Sequence, residues 1–168
     1  MQSTAILSDC GKYRFKLTRE WWEEGKGLGT CLFVMLNPST ADADHDDPTI
    51  RRCISFAKAW GYDRLHVGNL LPYRATAPTD LVEAIEKGVE MMYVSNLNHL
   101  ADLLNKADIV ICAWGNGSIV QGYKLDATFF KAADHPIYKD KLHYLELSKD
   151  GVPKHPLYLK GDLVPVKF

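Results

Sequence analysis

The sequence predicts an α/β protein built on an open, mostly parallel sheet, and three observations carry that prediction. Short apolar runs alternate with longer amphipathic ones along the chain, the pattern of strands followed by covering helices. Two of those runs, CLFVML at 31–36 and ADIVICAW at 107–114, are almost continuously apolar, as strands covered on both faces must be. Polar or glycine-containing segments follow all four parallel-strand candidates, so the chemistry-bearing residues collect on one edge of the sheet.

Each element has its own local reason. Residues 13–17 alternate apolar and polar and precede a glycine-rich stretch, 25–29, as expected of an outer strand and a hairpin. The run 31–36 is the first buried strand. Asp47 and Pro48 supply an N-cap and a first-turn proline, and Ile50, Cys53, Ile54, Ala57 and Trp60 then recur at helical spacing. Gly61 is placed to end that helix. Residues 64–67 form a second short strand. Thr79 or Asp80 caps the next helix, which runs through Leu81 and Ile85, past Gly88, to Leu104. The strand 107–114, an amphipathic helix over 118–133 and a strand over 141–147 complete the pattern. Trp21 and Trp22 read as packing under the N-terminal hairpin, and Met91 and Met92 as core residues of a helix.

Composition bounds the function. At 168 residues, one domain over 1–168 is expected, and folding at that length buries about 70% of the unfolded chain's surface. With 46% hydrophobic and 24% charged residues, disorder, collagen-like repeats and a disulfide scaffold are excluded. Twenty basic residues against 21 acidic ones give a net charge of −1, too little for a non-specific electrostatic grip on duplex DNA. Cys10, Cys31, Cys53 and Cys112 show no metal-site spacing, no apolar run is long enough to cross a membrane, and no signal peptide is evident. A reduced, cytoplasmic protein is expected.

The segments beyond the strand candidates hold the residues of interest. They are Asn37-Pro38-Ser39-Thr40, then Asn69 with Arg74-Ala75-Thr76, then Trp114-Gly115-Asn116-Gly117, and last Lys154-His155-Pro156. Two readings stay open for most of them. Asn37 and Asn69 are either strand-ending turn residues or site residues. His155 precedes proline, as does His135; its flanking segment favours His155 as the site residue, the other reading being a surface histidine. Arg51 and Arg52, near a helix N-terminus, meet either a phosphate or the acidic loop; Arg74 is a second phosphate candidate. Trp114 is either core or a stacking face for a base. The acidic run Asp42, Asp44, Asp46 and Asp47, with His45, is either a metal site or an N-cap within a solvated loop. No catalytic-triad spacing, P-loop or dinucleotide fingerprint is present, and the 25–29 glycines precede a strand instead of joining a strand to a helix.

The stretches LNPSTADADHDDPTIRRC (36–53), NLLPYRATAP (69–78), AWGNG (113–117) and GVPKHPLYL (151–159) resemble a family of small bacterial and phage proteins that carries no assigned activity. More distantly, the ordered series MLNP, HVGNLLPYR, VICAWG and KHP is similar to the uracil-DNA glycosylase superfamily. That resemblance implies a three-layer α/β/α fold with a mostly parallel four-stranded sheet in the order 2-1-3-4, plus an antiparallel N-terminal edge. It implies that Asn37 orients the attacking water, Asn69 reads the base and His155 stabilises the departing base anion. Pro38, Ser39, Arg51, Arg74, Trp114, Gly115 and Asn116 would then surround a nucleobase, a nucleotide or a flipped-out base of a nucleic acid, with no cofactor and no membrane. Ser39 stands where the glycosylases usually carry glycine, so a nucleobase-shaped pocket is implied more than DNA repair itself. Three functions are therefore expected to compete. One is an N-glycosylase, one a non-catalytic module for a modified base, nucleotide or nucleotide second messenger, and one a metal-dependent phosphohydrolase built on the Asp42 to Asp47 loop.

Overall fold

A computed structural model describes residues 1–21 and 27–168. Its strands are β1 (Gln2–Leu7), β2 (Arg14–Glu20), β3 (Thr30–Met35), β4 (Arg64–Asn69), β5 (Ile109–Cys112), β6 (Leu142–Tyr144) and β7 (Val166–Lys167). The helices are α1 (Pro48–Ala59), α2 (Pro78–Glu86), α3 (Tyr93–Lys106), α4 (Gly117–Gly122), α5 (Leu125–Ala133) and α6 (Pro136–Lys139), with a single 3-10 turn at Pro156–Tyr158.

The α/β class holds, with a larger and more mixed sheet than the four-stranded one expected. Seven strands lie in the order β1-β2-β4-β3-β5-β6-β7. Parallel pairing joins β4 to β3, β3 to β5 and β5 to β6. Antiparallel strands close both sides: β2 pairs with β4 and β1 with β2, while β7 pairs with β6. Residues 13–17 and 31–36 therefore do not form a hairpin with each other. Both edges of β3 are taken by β4 and β5, so β2 adds to the free edge of β4 and makes its hairpin with β1. The Gly25 end of the expected turn, with Trp22, lies outside the described residues.

β3 is buried along all six residues because both its faces are covered. Cys31, Phe33 and Met35 pack with Ile50, Cys53, Phe56 and Ala57 of α1. Leu32 and Val34 pack on the other side with Leu81, Leu100, Leu103, Val120 and Phe129. The two-residue period of the strand thus divides the core between two helical layers.

α1 forms as its sequence dictates: the Asp47 carboxylate accepts the Ile50 N–H at 2.9 Å, Pro48 opens the first turn, and Gly61 follows the end at φ +87°. The long helix expected from Thr79 to Leu104 is instead two, α2 and α3. Gly88 and Met92 both adopt left-handed φ, +71° and 47°, and the chain turns between them. The α2 N-cap is Ala77, without a side-chain bond, in place of Thr79 or Asp80; Pro78 fixes the helix start one turn position earlier. Met91 is core, yet from that turn and not from a helix. Lys124 at φ 54° likewise divides 118–133 into α4 and α5. Of the expected strand 141–147 only Leu142–Tyr144 forms a strand, β6, and Leu147 makes an isolated antiparallel bridge to Pro153. Trp21 is half-buried and donates its indole N–H to the Tyr62 carbonyl at 2.9 Å. Cys31, Cys53 and Cys112 are buried free thiols and Cys10 is exposed. No described helix is long and apolar enough to cross a membrane.

Candidate functional site

The β3–β4 ladder continues past the strands, with the Leu70 N–H on the Met35 carbonyl at 2.8 Å and the Leu71 N–H on that of Leu36 at 2.9 Å. Asn37 is therefore delivered to a fixed place at the carboxyl end of the sheet. Its carboxamide nitrogen donates to the carbonyls of Ala75 (2.8 Å), Pro38 (3.1 Å) and Tyr73 (3.4 Å). Three carbonyl neighbours can only face the NH2 end, which assigns the amide orientation. The oxygen Oδ1 has no donor among the described residues, so it is the group offered outward.

β5 leads into Trp114 and Gly115. Gly115 adopts φ +59° and donates its N–H to the Pro153 carbonyl at 2.9 Å, tying the late loop to the strand end. That loop carries His155, whose Nδ1 accepts the Leu157 N–H at 3.4 Å. The proton of the neutral ring then sits on Nε2. Burial pushes the His155 pKa below its ordinary value, with the Asp47 carboxylate pulling weakly the other way. His135 makes the same local bond to Ile137 N–H but is exposed, so it is the surface member of the two His-Pro pairs.

A cavity of about 550 Å³ opens at these strand ends, in the range usual for small-molecule sites. Of the residues singled out in the sequence, Asn37, Ser39, Trp114, Asn116 and His155 line it, together with Thr40, Asp47, Ala75 and Thr76. Gly115 lines an adjoining hollow, and His155 borders both. Trp114 is a core residue with an edge on the cavity: it is 1% exposed and meets Phe129 and Phe130 edge-on at 5.6 and 5.5 Å, and its indole N–H has no partner.

Other expected residues are held elsewhere. Pro38 is buried beneath the turn, its carbonyl accepting from Ala75 N–H. Asn69 is buried under α3, where its carbonyl accepts from Asn96 at 2.9 Å; its own amide nitrogen is sealed without a partner, and it does not line the cavity. Arg51 is exposed and donates to the Asp46 carbonyl. Arg74 is occupied by the carbonyls of Ser39, Thr40 and Gly11 at 3.1 to 3.2 Å, fixing the 39–40 turn without lining the cavity.

The acidic run does not converge. Asp42 accepts from the N–H groups of Asp44 and His45, Asp46 pairs with Arg19 at 2.8 Å, and Asp47 caps α1. The described residues contain no group of three or more His, Cys, Asp or Glu placed to hold a metal ion. Sequence reasoning missed Arg14 and Thr49 as lining residues, and took Asp47 as a cap or a metal ligand, not as part of this lining. Alternation in residues 13–17 put Arg14 on the polar face of an outer strand. Nothing local to that strand signals that the 39–47 loop folds over it.

Fold and site together define a class: an α/β protein with a ligand-sized cavity at the carboxyl ends of parallel strands. Within that class the chain belongs to the family described as protein of unknown function (DUF1643), whose model matches residues 14–157. That span includes β2 to β6 and the cavity residues from Arg14 to Leu157. No curated protein and no solved structure matches the chain.

Proposed function

We propose that the cavity binds a nucleobase or nucleotide and hydrolyses its N-glycosidic bond. The observation that carries this reading is the pairing, in one cavity, of an outward acceptor, Asn37 Oδ1, with a neutral imidazole that has only Nε2–H to give. Support also comes from the parallel strands β4-β3-β5-β6, whose order is the one expected from the distant resemblance to uracil-DNA glycosylases. In the proposed reaction Asn37 Oδ1 accepts a hydrogen bond from water and aims its oxygen at the anomeric carbon. The water oxygen bonds to that carbon as the carbon–nitrogen bond breaks, and the bonding pair leaves with the base. His155 Nε2–H donates to the base as it gains negative charge, and the water proton passes to the departing base or to solvent. A preorganised donor of this kind is worth roughly 10²–10³ in rate. Keeping the imidazole neutral suits this role, since a depressed pKa leaves the ring as a donor without a proton to lose to bulk water. Asn69 lies outside the cavity, so contacts to the base edge fall to Asn116 and Ser39.

A second reading, a binding module without cleavage, has its own observation: Asn37 is hydrogen-bonded only to backbone carbonyls and cannot itself take the water's proton.

Mass spectrometry of free base separates the two. The panel holds single- and double-stranded DNA with uracil or modified bases, together with free nucleotides, with and without chelator. Glycosidic hydrolysis predicts release that survives chelator and falls about 100-fold or more in Asn37→Ala and in His155→Ala. Intact nucleotide recovered with the protein and no base released would make it a binding module. Full activity in both variants would refute the site.

A further inference from the structure

Arg14 stands in the same cavity and has no part in the chemistry above. It opens β2, is 2% exposed, and lines the cavity beside Thr40 and Thr49. Among the described residues its guanidinium makes one hydrogen bond, from Nη1 to the Ala41 carbonyl at 2.8 Å, and its Nε is sealed without a partner. Among the described residues it forms no ion pair. Arg19, five residues along the same strand and equally buried, shows what a satisfied guanidinium looks like here. It pairs with Asp46 at 2.8 Å and also donates to the carbonyls of Thr18 and Asp42. A buried guanidinium with no carboxylate at hydrogen-bond distance is unfavourable, and the Asp47 and Asp42 charges act on this one only from further off. Burial pulls the Arg14 pKa down to about 10, with the Asp47 and Asp42 carboxylates opposing the shift, which leaves it charged at neutral pH.

The three arginines that the sequence offered as phosphate ligands, Arg51, Arg52 and Arg74, are all engaged by backbone carbonyls, and none lines the cavity. Arg14 is the guanidinium that borders it. Ser39, Thr40, Thr49 and Thr76 belong to the same lining, so hydroxyl-bearing residues accompany the guanidinium there, Ser39 donating to Thr76 at 3.3 Å.

We infer that Arg14 is the anion anchor of this cavity, and that the ligand class is a phosphomonoester, a free nucleotide in preference to a nucleobase, a nucleoside or a nucleic-acid strand. The base half of that ligand rests on the proposed function, whereas the phosphate half rests on Arg14 alone. A terminal phosphate fits because the guanidinium is almost wholly enclosed. A backbone diester would have to bring both flanking nucleotides up to a guanidinium that is only 2% exposed, and a net charge of −1 gives a strand little else to hold.

The test is a titration of the whole protein with inorganic phosphate, with nucleosides, with the matching 5′-monophosphates and with a single-stranded oligonucleotide, on wild type, Arg14→Gln and Arg14→Lys. The monophosphate should bind wild type about 10- to 100-fold more tightly than its nucleoside. That advantage should nearly vanish in Arg14→Gln and survive in part in Arg14→Lys, with nucleoside affinity unchanged. Should Arg14→Gln fail to fold, Arg14→Lys and the Arg14 Nε–H resonance of the wild-type protein decide, the resonance shifting on addition of inorganic phosphate. Equal binding of nucleoside and monophosphate overturns the inference, as does an advantage that persists in Arg14→Gln. An equal loss of both ligands, the mark of a merely structural arginine, overturns it too, and so does tighter binding of the oligonucleotide than of the monophosphate. Failure of the two readings is separable. Nucleosides that bind without a phosphate advantage remove the Arg14 inference and leave the base pocket. Phosphate that shifts the Arg14 resonance while no nucleotide outbinds it keeps the anion site and removes the base pocket.

Discussion

Gly115 and His155 meet through a gap that only glycine leaves: a Cβ at position 115 would lie 2.9 Å from the His155 Cβ and 3.2 Å from its backbone nitrogen. Gly115 also adopts φ +59°, which L side chains rarely occupy. The turn after β5 and the loop that carries the imidazole are thereby locked face to face. Gly115→Ala should lower stability by about 1–3 kcal/mol and displace His155. Urea unfolding together with the His155 imidazole resonance checks this; an unchanged midpoint and an unchanged resonance would contradict the locking.

Asn37 holds its turn through an NH2 group facing three carbonyls. Asn37→Asp places a carboxylate against those oxygens, and should be less stable at pH 7 than Asn37→Ala by about 1–3 kcal/mol. The carbonyls raise the folded-state pKa of the new carboxyl, so its penalty should shrink as the pH is lowered toward the ordinary aspartate range. Thermal melts of both variants from pH 4 to pH 7 (about the span over which such a group titrates) would show the gap widening with pH. A gap independent of pH would mean that the nitrogen is not turned toward the carbonyls.

His66 on β4 is buried and its pKa is pushed from 6.5 down to about 4, chiefly by desolvation. The unfolded chain therefore binds the proton more readily, and stability falls as the pH drops from about 6.5 toward 4, by about 2–3 kcal/mol. His155 is shifted in the same direction and adds to that acid limb. Replacing His66 by glutamine should flatten the limb in a series of urea melts. An unaltered slope would show that this histidine does not carry the acid sensitivity.

Arg51 and Arg74 should separate cleanly from Arg14. Arg51→Ala should leave stability within about 0.5 kcal/mol, as for an exposed surface residue. Arg74→Ala removes three bonds to backbone carbonyls and should cost about 1–2 kcal/mol. Neither substitution should change the preference for a monophosphate over its nucleoside. A loss of that preference in either would move the anion site away from Arg14.

Much of this was legible in the chain because the signals are local. Continuous apolar runs mark strands covered on both faces, and β3 and β5 are buried throughout. Asp47-Pro48 followed by a helical stripe specifies α1 with its cap, and the strand-end segments do bring Asn37, Trp114 and His155 to one cavity. What was not legible depends on neighbours distant in sequence. Apolar periodicity continues across Gly88 and across Lys124, so only backbone handedness reveals the breaks between helices. The register of β2 depends on β3 having both edges filled. Arg14 looks like a solvent-facing strand residue until the loop ending at Asp47 closes over it. Asn69 ends β4, yet α3 covers it through Asn96.

The most direct test of a nucleotide cavity at the strand ends is backbone-amide shift mapping with each common ribonucleoside and deoxyribonucleoside 5′-monophosphate. Saturable shifts should concentrate at Asn37, Ser39, Thr49, Asn116 and His155 for at least one of them. They should be absent from the polar groove at the amino ends of β3 and β4, where Lys16, Arg64 and Lys106 lie. Shifts confined to that groove, or none with any monophosphate, would contradict it.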